Sequence, residues 1–211
     1  MRGLRQAMPM SSCRERSREI VERVLSLDVV KRAKSVALFF PIVEKREVDL
    51  RPLDAALRAQ GIQVAYPSIV RGEDPDERTG LMTFHFALAE ELEERGFGFA
   101  EPKLGTPALE STLRDLDVVV VPALVVDPAG HRIGYGAGYY DRALAMAAVP
   151  KVVVAYDYQL VSEVPAMEGD VAVDWIVTDK RVLRAVRAEE MCAPSTGGGV
   201  PGAGSETPCR S

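Results

Sequence analysis

The segment His131-Arg132-Ile133-Gly134-Tyr135-Gly136-Ala137-Gly138-Tyr139-Tyr140-Asp141-Arg142 gathers residue types that handle an anion. Glycines at three alternate positions let the backbone approach a ligand closely and take up positive φ. Good helix formers follow from Tyr139 to Ala147, so unpaired N–H groups and a positive dipole end face the loop. Arg132 can add a planar fork to phosphate oxygens. Asp141, acceptor-only when ionised, can hold Mg²⁺ beside them. The loop is not a Walker A element, because no Gly-Lys-Ser/Thr follows, and it lacks GxGxxG spacing. Spacing alone leaves two readings, a phosphate cradle and a tight structural turn.

Other candidates are fewer. Glu47 lies in the charged run Glu44-Lys45-Arg46-Glu47-Val48-Asp49, where an ordinary solvated carboxylate competes with a ligand-binding one. Asp157 and Gln159 follow another apolar run. His85, between Phe84 and Phe86, reads as a satisfied structural histidine, and His131 as an exposed turn residue. Tyr139 and Tyr140 are expected on opposite helix faces, one in the core and one facing the pocket. The Glu90–Glu94 run reads as a solvated helix face. Three cysteines (Cys13, Cys192, Cys209) without CxxC spacing, and two distant histidines, suggest no zinc site. No Ser/His/Asp or Cys/His set is evident.

The elements that must position these residues alternate along the chain. Residues 14–27 carry Ile20, Val24 and Leu27 at helical spacing. SVALFF (35–40) is a short apolar run stopped by Pro41, as in a buried strand. A helix is expected over Leu50–Ala59, ended by Gly61, then strands over 62–67 and 81–86 around a polar loop (71–80). DVVVV (117–121) is the strongest strand, and Asp127-Pro-Ala-Gly130 suits a type I turn. Strands over 151–156 and 173–178 complete the pattern, with a helical or extended piece from Arg181. Such alternation predicts an α/β fold with a mainly parallel sheet covered on both faces. Ligands then bind where the strands' carboxyl ends release their loops. The segments after Pro41, Val121 and Tyr156 should therefore meet at one edge.

Composition sets the outer bounds. A chain of 211 residues suits one domain, expected here over 1–190. Hydrophobic residues at 47% and charged residues at 27% describe an ordinary globular protein. A net charge of −5 argues against a general nucleic-acid binder, though a pocket can be locally basic. No segment is apolar enough for a signal peptide or a membrane span. With the odd, sparse cysteines, this gives an expected cytoplasmic monomer. Residues 191–211, dominated by Gly, Pro, Ser and Thr, are expected to be a disordered tail.

The stretch VVPALVVDPAGHRIGYGAGYYDR (120–142) resembles the signature of the 5-formyltetrahydrofolate cyclo-ligase family. Three further elements agree in order and spacing: Phe40-Pro41 with Glu47-Val48-Asp49, Ala155-Tyr156-Asp157-Tyr158-Gln159, and Asp170 to Asp174. The resemblance covers residues 1–180 or so. It implies a three-layer α/β/α fold related to sugar-phosphate isomerases and coenzyme A transferases, with ATP as co-substrate and Mg²⁺ as cofactor. It also implies transfer of the γ-phosphoryl group to the formyl oxygen of 5-formyltetrahydrofolate, then ring closure by N10 with loss of phosphate.

Carried over by position, the resemblance assigns ATP to Arg2, Arg5, Arg132, Ile133, Gly134, Tyr135, Gly136, Ala137, Gly138, Tyr139 and Tyr140. The folate falls to Glu47 and to Tyr135, Gly136, Ala137, Gly138 and Tyr139. Mg²⁺ falls to Asp141 and Asp170, and Arg132, Tyr139 and Asp141 stand at the reacting groups. Leu4 and Arg5 match the family's Lys-x-x-Leu-Arg element, while Met1 occupies the lysine position and Arg2 is its substitute. The Arg5–Ser17 segment is about two helical turns shorter than usual, and two extra residues separate Pro41 from Glu47. A non-catalytic nucleotide or folate binder on the same scaffold is the competing reading. A sugar-phosphate isomerase or coenzyme A transferase relative is a third, by fold analogy alone.

Overall fold

The computed structural model describes residues 1–70, 80–96, 98–110 and 112–186. Helices α1 (Arg2–Ala7) and α2 (Met10–Ser26) and the single turn α3 (Asp28–Lys31) lead into β1 (Ser35–Ala37). After α4 (Arg51–Ala59) come β2 (Gln63–Val70), β3 (Leu81–Phe86) and a small hairpin, β4 (Leu92–Glu94) with β5 (Ala100–Pro102). Then follow β6 (Val118–Pro122), the hairpin β7 (Val125–Val126) and β8 (Arg132–Ile133), and α5 (Tyr139–Ala145). The strands β9 (Lys151–Val154), β10 (Trp175–Val177) and β11 (Val182–Arg184) close the described chain.

Among the described residues, seven strands form one sheet in the order β11-β10-β9-β6-β1-β2-β3. The five inner strands run parallel, and β3 and β11 are antiparallel at the two edges. Strand alternation sorts the core into two layers. Val36, Val118, Val120, Val152 and Val154 pack toward α2 and α4. Ala37, Val119, Val121, Val153 and Ile176 pack with Leu113 and with Ala143 and Leu144 of α5. Both faces are covered, which is why these strands read as continuous apolar runs.

The chain leaves β1 in one direction for β2 and β3, then returns to β1's other side to lay down β6, β9 and β10. The order reverses between β1 and β6, and the loops released there diverge and leave a crevice.

Several expectations change. α1 was not read from the sequence, and α2 begins at Met10, behind Pro9, rather than at residue 14. β1 ends at Ala37, three residues early, one hydrogen bond short of the point where its chain leaves β2 (Leu38 N to Ala65 O, 2.9 Å). The Glu90–Glu94 run is not a helix face. Glu91 turns back to accept from Leu88 N (2.7 Å), closing a single 3-10 turn, and Leu92–Glu94 continue as β4. Residues 71–79 and the expected tail lie outside the described residues.

Candidate active site

Two loops meet at the β1/β6 crevice. The first leaves β1 through Pro41 and a 3-10 turn over Val43–Lys45, then places Arg46 in left-handed backbone (φ 51°). That conformation costs a non-glycine residue about 1 kcal/mol, and it folds Glu47 back under its own loop. The Glu47 carboxylate is buried and accepts from Ile42 N at 2.9 Å. Its carbonyl accepts from the Tyr156 hydroxyl (3.2 Å), which also contacts Ser17 Oγ (3.3 Å) on α2. The reading of Glu47 as a solvated side chain is therefore overturned.

The second loop follows β6. Gln159, 2% exposed, donates to the carbonyls of Ala123 and Leu124 (2.9 and 3.0 Å) and so fixes the path into β7 and β8. The turn at 127–130 closes with Gly130 N to Asp127 O (3.0 Å). His131 is half-buried against Asp127 rather than free at the turn. Beyond Ile133 the glycine loop arches back toward Glu47. Gly136 has φ +93°, closed to side chains with a Cβ, and Gly138 has φ +67°. A Cβ at Gly134 or Gly136 would meet nothing within 4 Å, so this face of the loop is open and a ligand can lie against its backbone.

The loops are joined by a directed chain of hydrogen bonds. Arg5 Nη2 donates to the Tyr135 hydroxyl (2.5 Å), and that hydroxyl donates to Glu47 Oε1 (2.5 Å). Burial, then the Glu47 charge, pushes the Tyr135 hydroxyl up to about 12, so it stays a neutral donor. Three cations surround its ring, with Lys45 at 4.9 Å, Arg2 at 5.2 Å and Arg5 at 5.8 Å from the centroid. Arg5 is 4% exposed, and among the described residues its Nε has no hydrogen-bond partner. The acidic chain thus carries a local positive cluster at the mouth of the crevice. Lys45 was missed as a site residue because it looks like any member of a charged run.

On the far side of the glycine loop, Arg132 and Asp141 face each other. Arg132 donates to Asp141 Oδ1 (3.0 Å) and to Val171 O (2.7 Å), and its side chain is 4% exposed. It is committed to the protein instead of projecting as a free phosphate fork. Asp141 Oδ1 also accepts from Val171 N (3.3 Å). Asp170, the next residue back, is exposed and accepts from Met167 N (2.8 Å) in its own turn. Among the described residues no group of three or more His, Cys, Asp or Glu is placed to hold a metal. Sites that hold Mg²⁺ through one or two carboxylates complete the shell with substrate phosphates and water.

Tyr139 and Tyr140 do not divide between core and pocket. Both pack against the same apolar layer, since successive helical residues are about 100° apart rather than opposed. Burial raises the Tyr140 hydroxyl. Arg142, given no role of its own from the sequence, lies over the Tyr139 ring (5.1 Å) and donates to Ala137 O (3.2 Å) and Gly80 O (3.3 Å), stapling the loop. Asp157 serves structure, holding Thr178 and Arg181. His85 is satisfied on both ring nitrogens, by Thr106 O (2.9 Å) and Thr83 Oγ1 (3.0 Å).

Among the described residues no helix is long and apolar enough to cross a membrane. An Escherichia coli 5-formyltetrahydrofolate cyclo-ligase is 29% identical over 185 residues, spanning 86% of this chain and 98% of its own. A Mycolicibacterium smegmatis 5-formyltetrahydrofolate cyclo-ligase is 45% identical over 94 residues, 43% of this chain and 47% of its own, so that match spans about half of the relative. The structure of Aquifex aeolicus 5,10-methenyltetrahydrofolate synthetase superposes with a TM-score of 0.71 at 28% identity, covering 95% of this chain and 92% of that one. The model of the 5-formyltetrahydrofolate cyclo-ligase family matches residues 1–179, and the chain belongs to that family.

Proposed function

We propose that this protein catalyses the ATP-dependent closure of 5-formyltetrahydrofolate to 5,10-methenyltetrahydrofolate. The observation that carries the reading is the meeting of Arg5, Tyr135 and Glu47 across the β1/β6 crevice, in a chain of this family. The γ-phosphoryl group of ATP passes to the formyl oxygen and ADP leaves. N10 then attacks the activated carbon, phosphate departs, and the N10 proton is lost to water. Such chemistry needs positioning and charge neutralisation rather than a protein nucleophile.

The open backbone at Gly134 and Gly136, with Ile133, Ala137, Gly138 and Tyr139 along the same loop, receives the phosphates. Arg2, Arg5 and Lys45 supply the positive field that draws them in. Glu47 accepts from donors on the reduced pterin, with Tyr135 fixing its carboxylate. Arg132 acts as a positioning residue, orienting Asp141 toward the phosphates. Mg²⁺, held by Asp141 with Asp170 nearby, would neutralise charge developing on the transferring oxygens. The working unit in this reading is a cytoplasmic monomer. Purified protein mixed with 5-formyltetrahydrofolate should form the methenyl chromophore only when MgATP is present. Binding of both substrates without product would leave a non-catalytic binder instead.

A further inference from the structure

The hairpin of β4 and β5 roofs a second cavity of about 390 Å³ beside the junction, within the size range of small-ligand pockets. Glu101 lies in its wall and is fully buried (0% exposed). Its Oε1 accepts from Ile69 N (2.6 Å) and from Ser68 Oγ (3.2 Å). Among the described residues its Oε2 has no hydrogen-bond partner. A buried carboxylate oxygen left unmatched is costly, and donors arriving with a ligand remove that cost. Arg95 shares the wall and donates to Ser68 Oγ (3.3 Å).

The cavity adjoins the site already described on two sides. Ile69 and Val70 form its wall, and a Cβ at Gly80 would meet Val70 O at 2.9 Å, the Ile69 side chain at 3.1 Å and the Tyr139 ring at 3.3 Å. On the other side, the hairpin tip at Gly98 approaches Lys45 Nζ, which lies over Tyr135. The wall that carries Glu101 is thus in contact with both loops that frame the crevice.

Resting on the cyclo-ligase reading, we propose that Glu101 is the specificity residue that reads the 2-amino-4-oxopyrimidine edge of the reduced pterin. That edge presents two adjacent donors, the 2-amino group and N3–H, followed by the O4 acceptor. A carboxylate can only accept, and a guanidinium can only donate. Glu101 Oε2 can therefore take one of the two donors, and Arg95 in the same wall can meet the O4 acceptor. Adenine, the other amino-heterocycle in the reaction, has no oxo group for Arg95 and offers only its exocyclic amine to Glu101.

The test is a functional-group cycle on the full chain, using 5-formyltetrahydrofolate and its 2-desamino analogue. Glu101→Gln should raise the KM for 5-formyltetrahydrofolate about tenfold or more, with the KM for ATP within about twofold. The parent should lose about tenfold on the desamino analogue, and Glu101→Gln should treat the two folates alike within about twofold. An unchanged folate KM, a rise confined to ATP, or a desamino penalty that persists in the variant would each overturn the assignment. Should Glu101→Gln not melt cooperatively, Glu101→Asp takes its place in the cycle. If the parent binds folate but makes no methenyl product, the catalytic reading fails separately, and calorimetric Kd values from the same cycle still decide Glu101.

Discussion

The two ends of the sheet use carboxylates in opposite ways. At the amino end, Asp117 accepts from Lys34 N (2.8 Å), Ser35 N (3.0 Å) and Ser35 Oγ (3.1 Å), and Asp174 accepts from Lys151 N (2.9 Å). These groups tie off backbone donors where strands begin, and each contact is local to the sheet. At the carboxyl end, Glu47 is reached through left-handed backbone, and one of its oxygens is met by a tyrosine from a loop 88 residues away. Arg5 Nε and Glu101 Oε2 are buried without partners among the described residues. Polar groups that serve only the fold are closed off. Strain and unfilled hydrogen-bonding capacity concentrate where a ligand would complete them.

Substitutions at the two ends should therefore separate function from stability. Gly136→Val strikes hardest, because a β-branched residue is excluded at φ +93° and its side chain would enter the open face. The expected result is a cooperative melt that MgATP no longer shifts upward, where the parent is stabilised by ligand linkage. Thermal-shift titration decides it, and an unaltered MgATP response would move the phosphate site elsewhere.

Asp141→Asn should lower kcat about 100-fold at saturating MgATP, as for loss of a preorganised charge stabiliser. The asparagine oxygen can still accept from Arg132 and Val171, but buried Arg132 loses its counter-charge, so a modest fall in Tm accompanies the kinetic loss. Steady-state rates beside calorimetry would show both, and parental turnover would remove Asp141 from the chemistry.

Asp117→Asn should do the reverse on a smaller scale, leaving kcat alone and lowering Tm by about 2–4 °C at neutral pH. Although partial burial opposes ionisation, the Lys34 and Ser35 hydrogen bonds hold the Asp117 carboxyl below its usual range. A depressed folded value contributes stability above the unfolded pKa and loses it as pH falls through the folded one. The Tm difference between parent and variant should therefore close below a pH of about 4. A difference that persisted in acid would mean the side chain acts through packing.

Much of this arrangement was legible because it is written in long apolar runs. Val118–Val121 and Val152–Val154 announce buried parallel strands, and the parallel order in turn brings the Pro41 and Val121 loops to one edge. The glycine loop stood out by three alternate glycines ahead of a helix, a spacing that by itself left a phosphate cradle and a tight turn both open. Strands of two or three residues, such as β4, β5, β7 and β8, carry too few side chains to show a period. Glu101 was invisible for another reason: its worth depends on the Ile69 amide, 32 residues away, which no local pattern records. The contacts of Arg132 with Val171 and Asp141 could not be read from the sequence, since only the folded chain brings them to it.

The pairing of Val36 with Val118 joins strands 82 positions apart, and the crevice opens directly above it. Its two lips thus belong to different halves of the polypeptide, and neither half holds a usable remnant by itself. A molecule bound between them behaves as a reversible staple across the longest closure in the sheet. Occupancy then slows separation of the halves as well as local fraying, and resistance to proteolysis becomes a measure of how full the crevice is.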